Sequence, residues 1–110
     1  MGSERRVLGA SAPLFAALGD EQRLAILARL CRSGPLSIAR LSEGSEITRQ
    51  AVTKHLHVLA GAGLVRGSRE GRESLWELEP KRLHDARRYL DRISTEWDHA
   101  IERLRRFVER

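Results

Sequence analysis

Between about Lys81 and Val108, apolar residues recur at Leu83, Ala86, Leu90, Ile93, Trp97, Ala100, Leu104 and Phe107, in steps of 3, 4, 3, 4, 3, 4 and 3. On a helix that spacing is an unbroken heptad seam, and Ile101 and Val108 widen it. A helix of this length spans ~42 Å at 1.5 Å per residue. The whole chain has 110 residues, which is enough for one modest core, and such a core cannot cover the far end of so long a helix. A long helix gains most of its stability from a packed face. The seam therefore demands a partner, and residues 81–110 read as a dimerisation helix continuous with the domain before it.

Composition narrows the class. With 41% hydrophobic and 32% charged residues the chain is that of a globular domain, and no apolar run approaches the ~20 residues of a membrane span. The opening MGSERRVLG has no long apolar stretch before a small-residue cleavage site, so the expected compartment is the cytoplasm. The single cysteine, Cys31, cannot close an internal disulfide. Residues 1–12 are expected to be a flexible segment.

Punctuation then divides residues 13–80 into short elements. Pro13 suits the first turn of a helix carrying Leu14, Phe15 and Leu18, and Gly19 ends it. Asp20 caps a second helix on which Leu24, Leu27, Ala28 and Cys31 share one face until Ser33-Gly34-Pro35. Cys31 is thus expected to be a buried structural thiol. Ser37 caps a third helix with Ile38 and Leu41. After the Gly44-Ser45 break Thr48 caps a fourth, with Ile47 ahead of the cap as a hydrophobic staple. Two short helices joined by a turn make a helix-turn-helix.

The fourth helix has an outer face that no core requires. With Val52, Leu56 and Leu59 turned inward at about 100° per residue, Gln50, Lys54 and His57 point outward together, flanked by Arg49 and Thr53. Amide, ammonium, imidazole, hydroxyl and guanidinium groups bond base edges and phosphates in a major groove. His55 lies nearer the apolar side and is expected to be a partly buried packing residue. After Gly61 and Gly63, Leu64–Arg69 reads as a strand, Glu70-Gly71-Arg72 as a tight turn and Glu73–Glu79 as the returning strand, broken by Pro80. Arg69 and Arg72 sit at the tip of this hairpin, which forms a wing.

Net charge is +5, and its distribution says more than its size. Residues 1–47 carry 6 basic and 5 acidic groups, residues 48–72 carry 5 and 1, and residues 73–110 carry 9 and 9. Four of the five excess charges fall within residues 48–72, the fourth helix and the segment after it, the footprint of a phosphate-binding surface.

On these residues the chain resembles the ArsR-type winged helix-turn-helix repressors, over about residues 13–80. FAALGDEQRLAILARL is similar to that family's opening helices, SIARLSEGSEITRQAVTKHLHVLAGAGLV to its helix-turn-helix, and REGRESLWELEP to its wing. The order Val52, His55, Leu56, Leu59 and then Ala62-Gly63-Leu64-Val65 carries the likeness. The resemblance implies a homodimer on an inverted-repeat operator, with the first and last helices forming the interface through Leu14, Phe15, Leu18, Leu90, Ile93, Trp97, Ile101 and Leu104. The family's Cys-x-Cys metal site falls on Ser37 and Ala39, which offer no soft ligand. Of its site on the last helix only His99 and Glu102 are present, while Ala86 and Arg88 occupy the other two positions. Zinc wants about four ligands, so no metal site and no cofactor are expected.

The fold class that follows is mainly α with a small β-hairpin: about five helices and a two-stranded wing, dimeric through the terminal helices. The expected function is sequence-specific transcription regulation by a homodimeric repressor. Gln50, Thr53 and His57 would read bases, Thr48, Arg49 and Lys54 would fix phosphates, and Arg69 and Arg72 would reach the flanking backbone or minor groove. The alternative is a winged-helix module that binds an acidic protein partner. An enzyme is not expected, since no glycine-rich phosphate loop or nucleophile motif is present. Operator, regulated genes and effector are not legible in the residues.

Overall fold

The computed structural model describes residues 2–109. In chain order the elements are α1 (Gly2–Leu18), α2 (Glu21–Ser33), α3 (Ile38–Ser42), α4 (Arg49–Gly61), β1 (Val65–Glu70), β2 (Glu73–Leu78) and α5 (Pro80–Val108). Three helix starts are fixed by side-chain caps, each satisfying a backbone N–H that the first turn leaves without a partner. Asp20 accepts from Arg23 N at 2.9 Å, Ser37 from Arg40 N at 3.2 Å and Thr48 from Ala51 N at 3.1 Å. Pro80 opens α5, where its missing N–H costs nothing.

The core lies where α1, α2, α3 and α4 meet the base of the hairpin. Leu14, Val52, Leu56, Leu59 and Leu64 are sealed completely, and Ile26, Leu27, Leu30 and Leu41 close around them. The strands pair antiparallel from Val65↔Leu78 to Glu70↔Glu73, so the turn is the two residues Gly71 and Arg72. Gly71 has φ +62°, a backbone region that glycine enters without steric cost. β1 begins at Val65 rather than Leu64, whose N–H is held by the Leu59 carbonyl at 3.0 Å.

Four features depart from the sequence reading. The first helix does not begin at Pro13. It begins at Gly2 and carries Pro13 inside it, so the segment expected to be flexible is helical. Pro13 and Gly9, the residue whose carbonyl loses its partner, are both exposed, so water can replace the missing bond. Second, α2 buries Ile26, Leu27 and Leu30, leaving Leu24 half exposed and Cys31 at the surface. The run LAILARLC is apolar on more than one face, and contact with α1 and α4 chose the other phase. Third, Leu14 is buried within its own protomer at 1% exposure, which removes it from any interface. Fourth, Leu36 pairs with Trp76 through two backbone bonds of 3.0 and 2.8 Å, a short third rung beside the wing.

Only the first turns of α5 pack on the domain. Ala86 is buried, Leu83 is partly so, and Phe15 of α1 meets Tyr89 with ring centroids 5.6 Å apart. Beyond them Leu90, Ile93, Trp97, Ile101, Leu104 and Phe107 are exposed, Trp97 at 67% and Phe107 at 73%. Val7 and Leu8 on α1 are exposed as well.

Candidate nucleic-acid interface

Burial of Val52, Leu56 and Leu59, each at 0% exposure, fixes the rotation of α4 and decides what the helix presents to solvent. Gln50, Lys54 and His57 lie exposed on the opposite side, and Arg49 is exposed at their flank. Thr48 is exposed at the helix start, with its hydroxyl oxygen engaged in the cap. Thr53 is half-buried, and its hydroxyl donates to the Arg49 carbonyl at 2.8 Å. Its proton is therefore used within the helix, so Thr53 offers a partner a lone pair and a methyl group. Arg69 and Arg72 are exposed at the hairpin tip.

His57 sits between helix and wing. Its ring centroid lies 6.2 Å from that of Trp76, tilted by 60°. Because Trp76 is held on one side by β1 and on the other by Leu36, the wing is braced beside the exposed face of α4. Pairing with Leu36 crosses 40 residues of sequence and left no local pattern to find. His55 behaves as expected: partly buried, it bonds Gln22 through Nε2 at 2.7 Å and lies 4.0 Å from the Asp20 carboxylate. The Arg23 N–H bond and then the charges of Arg23 and His55 hold the Asp20 carboxyl below the usual carboxylate range, against a partial desolvation.

One basic residue of the charged stretch is not free. Arg66 donates to Glu77 and Glu79, both at 2.9 Å. The hydrogen bond to Glu77, with the charge of Glu79 beside it, raises the guanidinium pKa above its ordinary value. The positive surface of helix and wing is thus carried by Arg49, Lys54, Arg69 and Arg72. Val7 and Leu8, exposed apolar residues of α1, lie ahead of Pro13, outside the helix expected from the sequence. Their seven-residue offset from Leu14 and Phe15 was the available signal.

Among the described residues no group of three or more His, Cys, Asp or Glu side chains converges on a point that could hold a metal ion. Ser37 serves as the cap of α3, and His99 and Glu102 are exposed on α5. No helix of the described residues is long and apolar enough to cross a membrane.

Comparison with known proteins identifies this arrangement. A family model described as a helix-turn-helix domain matches residues 18–68, from the end of α1 into β1. The chain is 38% identical over 85 residues to the HTH-type transcriptional regulator Rv2034 of Mycobacterium tuberculosis, covering 77% of this chain and 76% of that protein. The HTH-type transcriptional repressor SmtB of the same species is 33% identical over 97 residues, or 88% of this chain and 70% of that one. A solved ArsR-like transcriptional regulator from Rhodococcus sp. RHA1 superposes with a TM-score of 0.81 at 35% identity, over 93% of each chain. The chain belongs to the ArsR family of winged helix-turn-helix regulators. As an ArsR-family member it is a DNA-binding transcriptional regulator and not an enzyme. Membership gives no support to the reading as a module for acidic proteins.

Proposed function

We propose that the chain acts as a homodimeric repressor on an inverted-repeat operator, with α4 in the major groove and the wing on the flanking backbone. The observation that carries this reading is the opposition on α4, where three fully buried residues force Gln50, Lys54 and His57 to one exposed face. Gln50 offers the amide that pairs in bidentate fashion with adenine, and His57 and Thr53 can read adjacent edges. Thr48, Arg49 and Lys54 hold phosphates, and Arg69 and Arg72 extend the contact beyond the half-site.

Dimerisation is supported by the exposed seam on α5. A row from Leu90 to Phe107 left to water is larger than solitary surface residues explain. Phe15 and Leu18 pack against the core of their own protomer and are partly buried, so each keeps some surface that a partner could cover. Two half-sites one helical turn apart are separated by about 34 Å, and each protomer carries a single α4 to fill one of them. Repression accords with the name of the SmtB relative. Selection from a random pool of duplexes tests the whole reading. An inverted repeat with half-site centres about one turn apart is the expected product. A single half-site bound by one protomer would refute it.

A further inference from the structure

Arg82 stands in the first turn of α5, and its side chain reaches three elements at once. Its Nη2 donates to the Ala10 carbonyl of α1 at 2.8 Å, its Nε to the Ala62 carbonyl at 3.5 Å, and its Nη1 to the Asp85 carboxylate at 3.3 Å. Ala62 is the C-cap of α4, where helix carbonyls lack intrahelical partners. The stem of Arg82 fills the space beside Gly63, where an added Cβ would stand 2.8 Å from Arg82 Cγ. Gly63 thus serves twice, once through its φ of +76° and once through the room it leaves Arg82.

Nothing about α5 as a helix favours a cation there. The first turn is the positive end of the helix dipole and prefers acidic side chains, yet α5 has none in that turn and no side-chain cap. A residue kept against the preference of its own helix is expected where the tertiary fold needs it. Here the need is directional. Leu83 and Ala86 hold the base of α5 on the domain by apolar contact, which resists separation without fixing an angle. The planar fork of Arg82 fixes one. Desolvation pushes the Asp85 carboxyl up, but Arg88 and Arg82 outweigh it and hold it below the usual carboxylate range, so the third partner stays ionised at neutral pH. The angle matters because α5 is a lever. From Arg82 to Phe107 it runs about 38 Å, so a tilt of about 10° at the base carries the far end about 7 Å. That is about twice the rise of ~3.4 Å from one phosphate to the next along a strand.

We propose that Arg82 is a positioning residue for operator binding. By tying the base of α5 to α1 and to the exit turn of α4, it fixes the direction in which the dimerisation helix leaves the DNA-reading unit, and with it the separation of the two α4 helices. Arg82 itself touches no DNA. A duplex with one half-site is therefore bound equally well without it. Two half-sites joined on one duplex reward only a dimer whose α4 helices arrive at the matching separation. The proposal rests on the reading above of a homodimer on an inverted repeat.

The geometry is tested without DNA. In a Cys31→Ser background, spin labels at Lys54→Cys on α4 and Thr95→Cys on α5 report the distance between the two helices by pulsed electron resonance. Thr95 is exposed and lies away from the seam. Dilution with unlabelled protein restricts the reading to distances within one protomer. With Arg82 in place the expected distribution is narrow. Arg82→Met, which keeps the stem beside Gly63 but none of the donors, is expected to broaden it, and an equally narrow distribution would overturn the proposal. In a second arm, without labels, the operator is compared with a duplex carrying one extra base pair between the half-sites and with a duplex carrying one half-site. The natural protein is expected to lose about tenfold on the insertion and Arg82→Met about twofold or less, with half-site affinity and sedimentation mass unchanged. Full spacing discrimination in Arg82→Met would overturn the proposal, and so would equal losses on all three duplexes, which a merely structural role predicts. Arg82→Lys, whose single ammonium cannot hold three acceptors at once, replaces that variant if its melting temperature falls. A natural protein indifferent to half-site spacing would instead remove the operator reading, with the label distances still deciding what Arg82 fixes.

Discussion

Replacing Gln50 or His57 by alanine removes a group that points away from the core and has no intrahelical role. The loss is expected to be about 1–3 kcal/mol on the selected operator and little on random duplex. Equal losses on both in a fluorescence-anisotropy titration would make these residues backbone contacts. Arg72→Ala is expected to weaken both duplexes alike and to shallow the salt dependence by about one unit per subunit. An unchanged slope would place the wing tip away from DNA. The outer face of α4 is legible because Val52, Leu56 and Leu59 lie on a single stripe, with Gln50, Lys54 and His57 opposite it. On α2 the run from Leu24 to Cys31 allows two stripes. Local periodicity does not choose between them, and Cys31, expected inside, lies outside.

The caps and the wing carry the predictions that belong to whole elements. Asp20 caps α2, and its carboxyl is held below the usual range by Arg23 N and by the charges of Arg23 and His55. A depressed carboxyl contributes stability above the unfolded-state value and loses it as pH falls through the folded one. The urea midpoint of the natural protein is therefore expected to fall more steeply in that acid window than that of Asp20→Asn, which keeps the capping oxygen without the charge. Parallel curves would contradict this account of the cap. Caps, breaks and the tight turn at Gly71 could all be read in advance, since each is decided within four residues. The length of α1 and the rung between Leu36 and Trp76 could not. The first depends on packing against α5 overriding Pro13, the second on a pairing far along the chain.

Taken whole, the molecule measures 66 × 32 × 20 Å, elongated because α5 runs past the domain. Leu90→Asp or Ile93→Asp puts a charge in the seam, and the expected result is a lower mass in sedimentation and loss of operator binding, with the fold kept. A variant that remains dimeric would move the interface elsewhere. Zinc is expected not to release the operator at micromolar concentration, because His99 and Glu102 supply only half a ligand set. Release that His99→Ala abolishes would mean that two half-sites meet across the dimer. The central claim, that α4 and the wing form a cationic surface fitted to duplex DNA, is tested most directly by salt-titrated binding to a random-sequence duplex. Log affinity is expected to fall linearly with log salt, by about 0.9 for each phosphate neutralised. No binding at low salt would contradict it.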